Sequence, residues 1–177
     1  EAVEELKNKE FENLFYDDEN KSLSKLTNFK IDTDLEILFP DDYINNVNIR
    51  LNQYQKLSEI KDLKSLSLYK SELEDRFGKL PVQSQELIQT VKLKFLAIEN
   101  GFEKLILKNQ KMICQFNSNK NDPFFQSESF QNILKVINQN HDICQLKEKK
   151  SIKGERLLLV FEGVYNVEDA INYLKIF

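Results

Sequence analysis

The sequence contains few of the residues on which enzyme active sites usually depend. Its 177 residues include four glycines, two cysteines, one histidine and no tryptophan. It has no glycine-rich phosphate loop, no G-x-S-x-G turn and no H-E-x-x-H motif. A single histidine, His141, restricts acid–base schemes that rely on imidazole. We therefore expect a chain that is not an enzyme and that binds no cofactor in this part of the protein.

An excess of positive charge and long apolar runs are also missing. Lys and Arg number 25 and Asp and Glu number 29, which gives a net charge of −4. Proteins that read nucleic acids usually carry a basic face because they neutralise phosphates, so we do not expect direct DNA binding. No apolar run approaches the roughly 18 residues that cross a membrane, and the first residues lack the shape of a signal peptide. We expect a cytoplasmic protein without membrane contacts.

The two cysteines, Cys114 and Cys144, each lie in an apolar run typical of a strand. Together with His141 they do not have the spacing of a metal site, and no disulfide framework supports a bond between them. We interpret both cysteines as small buried hydrophobic residues, with a disulfide or metal site as the less favoured alternative. We place His141 in a surface turn between a helix and a strand.

The first half of the chain shows helical periodicity after one candidate strand. That strand is expected over residues 35–39 and ends at Pro40, and Asp41 or Asp42 is expected to cap the helix that follows. Gly78 and Pro81 are typical of a turn between helices. Three- and four-residue spacing predicts three amphipathic helices. Their inward positions are Ile44, Val47, Leu51, Tyr54 and Leu57, then Leu66, Tyr69, Leu73 and Phe77, then Ile88, Val91, Phe95 and Ile98.

The second half changes to a period of two. Two apolar runs flank Asn109-Gln110 and predict a β-hairpin. A helix capped by Ser127 or Ser129 follows, then strands near residues 143–146 and 156–161, and a last helix that begins at Asn166. The predicted fold class is α+β: an N-terminal layer of three amphipathic helices, then a small mixed sheet with two further helices.

The second of the three helices has a distinctive outer side. With Leu73 at zero and a rotation of about 100° per residue, Leu66, Tyr69 and Phe77 fall within about 40° of it. Asp75, Leu68 and Glu72 fall near 200°, 220° and 260° on the opposite side. An exposed leucine between two carboxylates predicts a docking surface, although a solvated helix face has the same pattern.

Two blocks of residues resemble a known family. The stretch from Pro40 through Tyr43, Arg50 and Tyr54 is similar to P-x-x-Y-I-x(5)-R-L-x-x-Y. The stretch from Glu72 to Pro81 is similar to E-L-x-D-R-F-G-x-L-P. In this order and spacing they resemble the C-terminal regulatory domain of the bacterial transcription-repair coupling factor. Residues 1–7 resemble the helix that closes the motor region of that family.

The resemblance implies a function for this chain. In that family an ATP-dependent DNA translocase lies upstream and removes stalled RNA polymerase in transcription-coupled nucleotide excision repair. The C-terminal domain does no chemistry: it packs on the UvrB-like N-terminal module of the same chain and covers the surface that recruits UvrA. The family's motif Glu and Asp, which match Glu72 and Asp75, pair with arginines on that module. Contacts with UvrA and RNA polymerase would be indirect.

The resemblance also implies a division of the chain and two kinds of motif residue. Residues 1–30 would be the end of the motor helix and a linker, and residues 31–177 the regulatory domain. The interdomain residues would be Glu72 and Asp75, with Leu68 and Glu74 as neighbours. The motif residues Tyr43, Arg50, Tyr54, Arg76, Phe77, Gly78 and Pro81 can instead stabilise the fold, with both arginines bridging to carboxylates. The alternative to this interpretation is an independent α+β module that binds a small ligand or a nucleic acid.

Overall fold

The structure is a computed structural model that describes residues 29–117, 119, 121–151 and 154–177. The helix expected near residues 2–6 and the linker expected at 17–22 lie outside the described residues. The described chain divides into two units. The first covers Glu36–Lys92, and the second combines Phe29–Leu35 with Leu93–Phe177.

Three helices make up most of the first unit: α1 is Val47–Ser58, α2 is Leu63–Phe77, and α3, Val82–Glu99, begins there. Side-chain caps begin the first two. The Asn46 carboxamide oxygen accepts hydrogen bonds from the backbone N–H groups of Asn48 and Ile49 at 3.0 and 3.1 Å. The Asp62 carboxylate accepts one from the Ser65 N–H at 2.8 Å. These bonds satisfy donors that would have no partner within a helix.

The prediction for α2 is confirmed in its buried face and in its end before Gly78. Leu66, Tyr69 and Leu73 are buried, and Phe77, at its last position, is half-buried. Gly78 follows with a φ of 85°, a conformation that favours glycine. The other buried apolar residues of the first unit are Phe39, Ile44, Leu57, Leu80, Leu87, Ile88 and Val91.

The prediction for α1 is wrong at its start and on part of its face. The helix is capped by Asn46, not by Asp41 or Asp42, and Ile44 is buried in the turn before it. Val47 and Leu51 are 56% and 38% exposed, whereas Gln53 and Leu57 are buried. Because Asn46 is the cap, the helix begins only at Val47. The buried side of the helix carries Gln53 and Leu57.

The strand predicted over residues 35–39 is also wrong, because the first strand, β1, is Lys30–Thr33. Backbone groups of residues 38 and 39 bond to side chains of the first unit. The Phe39 N–H donates to the Tyr54 hydroxyl at 2.9 Å, and the Ser84 hydroxyl donates to the Leu38 carbonyl oxygen at 3.2 Å. Alternation in this segment therefore reflects the burial of Phe39 and not sheet pairing.

The second unit is built on a five-stranded mixed sheet with the order β1-β2-β3-β5-β4. The remaining strands are β2, Phe102–Lys108; β3, Lys111–Phe116; β4, Cys144–Ser151; and β5, Gly154–Glu162. β1 pairs with β2 in parallel, and the other neighbours are antiparallel. The predicted hairpin is confirmed: Asn109 and Gln110 have φ values of 53° and 59° between β2 and β3. Two positive φ values are typical of the type I′ turn.

Helices cover one face of this sheet. α4, Glu128–Gln139, is capped by Ser127, and α5, Val167–Leu174, is capped by Asn166, as the sequence predicts. The core of the unit combines their apolar sides with the end of α3 and one face of the sheet. It includes Leu93, Ala97, Leu105, Leu107, Met112, Cys114, Phe116, Ile133, Ile137, Leu159, Phe161, Ile171 and Leu174.

The predicted fold class is confirmed, because three helices lead into a mixed sheet with two further helices. α3 is buried more widely than its predicted face: Leu87, Leu93, Ala97, Ser84 and Thr90 join Ile88 and Val91, while Phe95 and Ile98 are half-buried. β4 extends from Cys144 to Ser151, beyond the short strand predicted for it. No helix within the described residues is long and apolar enough to cross a membrane.

Candidate interaction surface

The outer side of α2 carries the residues that the family resemblance assigns to an interdomain contact. Leu68 is 65% exposed, the Glu72 side chain is 56% exposed, and Asp75 is exposed. Leu66 and Leu73, on the other side of the same helix, are buried. The structure thus brings Leu68, Glu72 and Asp75 together on one solvent-facing side, which we call the α2 face.

A lysine that the sequence analysis missed lies beside this surface. The Lys56 ammonium of α1 contacts the Glu72 carboxylate at 3.0 Å, and the Lys56 side chain is 42% exposed. No local periodicity reveals this pair, since its members belong to different helices. An exposed ion pair contributes only about 0–1 kcal/mol, so Glu72 can exchange this partner at low cost.

Tyr43, which belongs to the first block of motif residues, contacts the second block. Its hydroxyl lies 3.3 Å from the carbonyl oxygen of Leu73 and 3.1 Å from that of Gly78. Its ring lies edge-on to Phe77, with ring centroids 5.9 Å apart. The hydroxyl therefore connects the last turn of α2 to the Gly78 carbonyl in the turn behind it.

Arg50 and Tyr54 stabilise the segment before α1. An Arg50 N–H donates to the Ile44 carbonyl oxygen at 2.7 Å, and the guanidinium contacts the Asp41 carboxylate at 3.1 Å. The Tyr54 ring packs on Phe39 with centroids 4.9 Å apart. Arg50 therefore meets a carboxylate as predicted, but in the preceding turn and not on another helix.

Arg76 and Pro81 complete the motif. The Arg76 guanidinium lies 5.0 Å from the centroid of the Phe77 ring, a cation–π contact. Within the part of the chain that the structure describes, no carboxylate lies within ion-pair distance of Arg76. The Pro81 carbonyl oxygen accepts the Gln85 N–H at 3.0 Å, so Pro81 sits at the entry of α3 as predicted.

Two tyrosines, Tyr69 of α2 and Tyr43 before α1, interact electrostatically with glutamates of α2. Burial raises the pKa of the Tyr69 hydroxyl, and the negative charge of Glu72 raises it further. The Tyr69 hydroxyl donates to the Gln53 carbonyl oxygen at 2.9 Å, which ties α2 to α1. Burial also raises the pKa of Tyr43, with Glu74 as the second cause. Glu74 is thus electrostatically coupled to Tyr43, apart from the α2 face.

The remaining candidate residues have structural positions. Cys114 and Cys144 are free and buried, which confirms the interpretation as core residues. Burial raises the pKa of both thiols. His141 lies in an exposed turn after α4, also as predicted. Among the described residues, no group of three or more His, Cys, Asp or Glu side chains is placed to hold a metal ion.

A second charged surface, which the sequence analysis missed, lies on the sheet. Strand register places Lys149 opposite Arg156 and Lys147 opposite Leu158, on the face opposite Leu159 and Phe161. Lys147 and Lys149 are exposed. Along β4, Glu148 and Lys150 alternate with these residues onto the other face. The net charge of −4 conceals this separation, and only the alternation within residues 147–150 indicates it.

Comparisons with known proteins give the same domain class for both units. A family model described as the TRCF domain matches residues 33–127, more than half of the chain. A crystal structure of the C-terminal domain of transcription-repair coupling factor matches with a TM-score of 0.61 and 18% identity, covering 84% of this chain and 91% of that one. This last likeness shows the α+β fold.

Curated relatives identify the family. The chain is 32% identical over 133 residues to the transcription-repair-coupling factor of Buchnera aphidicola, which covers 75% of this chain and 15% of that protein. It is 37% identical over 86 residues to that of Escherichia coli, or 48% of this chain and 8% of that protein. The chain carries a TRCF domain. It belongs to the transcription-repair-coupling factor family and spans only a small part of these relatives.

Proposed function

We propose that this chain is a non-catalytic regulatory domain of a transcription-repair coupling factor. Its α2 face packs on the UvrB-like N-terminal module of the same protein and covers the surface that recruits UvrA. The parent protein would be a cytoplasmic, ATP-dependent DNA translocase in transcription-coupled repair. The observation that carries the proposal is the joint exposure of Leu68, Glu72 and Asp75 on one side of a helix whose other side is buried.

The chemistry of the α2 face suits a contact that must open. Keeping a surface covered in 99 of 100 molecules requires only about 2.7 kcal/mol. This is half of the free energy needed to shift an equilibrium from 1:99 to 99:1. Two exposed ion pairs supply about 0–2 kcal/mol together, and burial of Leu68 adds apolar area. Such a contact holds in the resting protein and yields when UvrA or the motor supplies binding energy or work.

The rigid setting of the α2 face also supports the proposal. Tyr69 ties α2 to α1 through Gln53, and Tyr43 holds the end of α2 at Leu73 and Gly78. Both tyrosines lie away from the outer side and leave the carboxylates accessible. A charge pair across an interface gains from such fixed geometry because less side-chain freedom is lost on docking.

The test uses the full-length protein with Glu72→Arg and Asp75→Arg combined. Charge reversal replaces attraction to arginines by repulsion, so the covered state is weakened and immobilised UvrA captures more protein. Loss of about 1 kcal/mol corresponds to an increase of about fivefold in the open fraction. UvrA affinity is measured by biolayer interferometry, with circular dichroism confirming that the variant is folded.

Glu74→Arg is the matched control. It is compared with the single variants Glu72→Arg and Asp75→Arg, each of which changes the net charge by the same amount. Glu74 is electrostatically coupled to Tyr43, and we expect its reversal to leave UvrA binding unchanged. An unchanged UvrA affinity in the Glu72/Asp75 variant would remove the proposed residues from the contact. An equal increase in the control would assign the effect to net charge alone.

A further inference from the structure

The sheet of the second unit carries an uneven distribution of charge on the face that does not contribute to the unit's core cluster. Register assigns alternate residues of each strand to this face, apart from the irregular pairing between Phe102 and Lys104 in β2. Its described charged residues are Lys30, Asp32, Lys104, Lys108, Lys111, Lys147, Lys149, Arg156 and Glu162. The whole chain has more acidic than basic residues, but only two of these nine residues, Asp32 and Glu162, are acidic.

The two acids on this face already have basic partners. Asp32 pairs with Lys108, and Glu162 pairs with Lys111 at 2.8 Å. Three of the other basic residues lie close together at the β4 edge. There Lys149 faces Arg156 across the strand pair, and Lys147 lies two residues along. We call Lys147, Lys149 and Arg156 the basic strip.

Protection of a sheet edge does not account for the whole strip. Lysines on an edge strand discourage pairing with other chains, and β4 is an edge strand. Arg156, however, belongs to β5, which pairs with β4 at this point and with β3 from Leu158 onward. Its guanidinium donates to the Gln115 side-chain oxygen at 3.4 Å, which directs it across the same face. Positive charge therefore extends from the edge strand β4 onto its neighbour β5.

We propose that the basic strip binds the phosphate backbone of duplex nucleic acid without regard to sequence. Lys147 and Lys149 are exposed and follow each other at about 6.6 Å along the strand. Lys149 and Arg156 are directly opposite each other, so their Cβ atoms lie about 5 Å apart. A compact row of ammonium and guanidinium groups with few acids is the arrangement that neutralises neighbouring phosphates.

The surroundings of the strip favour a duplex over two other polyanions. Single strands are held by aromatic side chains that stack on bases, and none of the described residues on this face is aromatic. Acidic protein segments dock through central apolar anchors, but Leu158 and Val160 on this face are only 9% and 8% exposed. The backbone of a duplex requires neither feature. This proposal does not depend on the masking of UvrA.

The test measures binding of this 177-residue chain to a fluorescein-labelled DNA duplex of arbitrary sequence. A C-terminal domain of this fold has been crystallised. Fluorescence anisotropy is recorded between about 50 and 200 mM salt, where log K falls with log salt by about 0.9 for each phosphate contact. Lys147→Ala with Lys149→Ala removes two contacts, so the slope should become shallower by about 1.8.

Lys135→Ala with Lys150→Ala is the matched control, because it removes the same charge elsewhere. Lys135 is exposed on α4, and Lys150 lies on the opposite face of β4. Retained binding in the control and weakened binding in the strip variant would support the proposal. Absent binding at low salt, or equal losses in both variants, would overturn it. Strip-dependent binding of polyglutamate but not of the duplex would overturn it in favour of an acidic protein.

Discussion

The ammonium group of Lys56 lies 3.0 Å from the carboxylate of Glu72, which links α1 to the outer side of α2. Both side chains are exposed to a large extent, so the pair is weak and exchangeable. Under the proposed function, Glu72 has two alternative partners: this lysine in the open protein and an arginine of the N-terminal module in the covered one. Lys56 then acts as a competitor that is built into the domain.

Replacing Lys56 by Met should strengthen the covered state. The substitution keeps the aliphatic length but frees Glu72, so UvrA affinity of the full-length protein should fall by up to about fivefold, which corresponds to about 1 kcal/mol. In a Glu72→Gln background the same substitution should have no effect. A double-mutant cycle on UvrA affinity measures this coupling. Stronger UvrA binding by Lys56→Met would contradict competition at Glu72.

A side chain at Gly101 should destabilise the fold, because a Cβ atom there would overlap the ring of Phe124 and displace it. Phe124 packs in an aromatic cluster, stacked on Phe116 and edge-on to Phe130, at centroid distances of 6.1 and 5.5 Å. Gly101→Ala should lower the free energy of unfolding by about 1–2 kcal/mol for the left-handed φ. Displacement of the ring should add about 1–3 kcal/mol.

Gly163→Ala separates these two causes. Gly163 also has a positive φ, 71° against 76° for Gly101, but its Cβ would meet only the Tyr173 hydroxyl at 3.9 Å. It should therefore show the backbone cost alone. Urea unfolding of both variants gives the difference, and equal losses of stability would show that the Phe124 ring moves aside freely.

Lys94 should make stability depend on pH. Burial lowers the pKa of its ammonium group from 10.5 to about 8, and the residue is 9% exposed. Below pH 8 both states hold the proton, and the folded state carries the cost of a buried charge. Between pH 8 and 10.5 the unfolded state binds more protons, so stability contributed by this group rises with pH.

The Lys94→Met variant isolates that contribution. At pH 7 it should be more stable than the wild type by up to about 3 kcal/mol, since each pKa unit corresponds to about 1.4 kcal/mol. The advantage should shrink as pH rises towards 10.5. Denaturant unfolding of both proteins across this range cancels the titration of other groups in the difference. An advantage that stays constant with pH would contradict a lowered pKa.

Patterns that depend on neighbouring residues were predictable from the sequence. The burial of Leu66, Tyr69 and Leu73 follows from spacing within one helix, and the turn at Asn109-Gln110 follows from the apolar runs beside it. The exposure of Leu68 and Glu72 follows from the same helical rotation. Their role in masking stays a prediction, as does the domain boundary between residues 30 and 31.

Features set by distant residues were not predictable. Phe39 leaves the sheet pattern because its N–H meets Tyr54, fifteen positions away. Val47 and Leu51 fit the helical period of α1 yet are exposed, since the buried side follows Gln53 instead. The basic strip depends on the register between β4 and β5, and Lys56 meets Glu72 only because two helices pack.

The parallel pairing of β1 with β2 has a practical consequence for producing this protein in pieces. β1 spans Lys30–Thr33 and pairs with residues 104–107. In the sequence, these two segments are separated by the described part of the first unit, Glu36–Lys92. A fragment trimmed to the family match, which starts at residue 33, would lose this strand. The bare edge of β2 would then offer free backbone groups to other molecules, and unwanted oligomers would form. A stable fragment must therefore begin no later than Phe29, so that the buried Phe29 and the strand Lys30–Thr33 are kept.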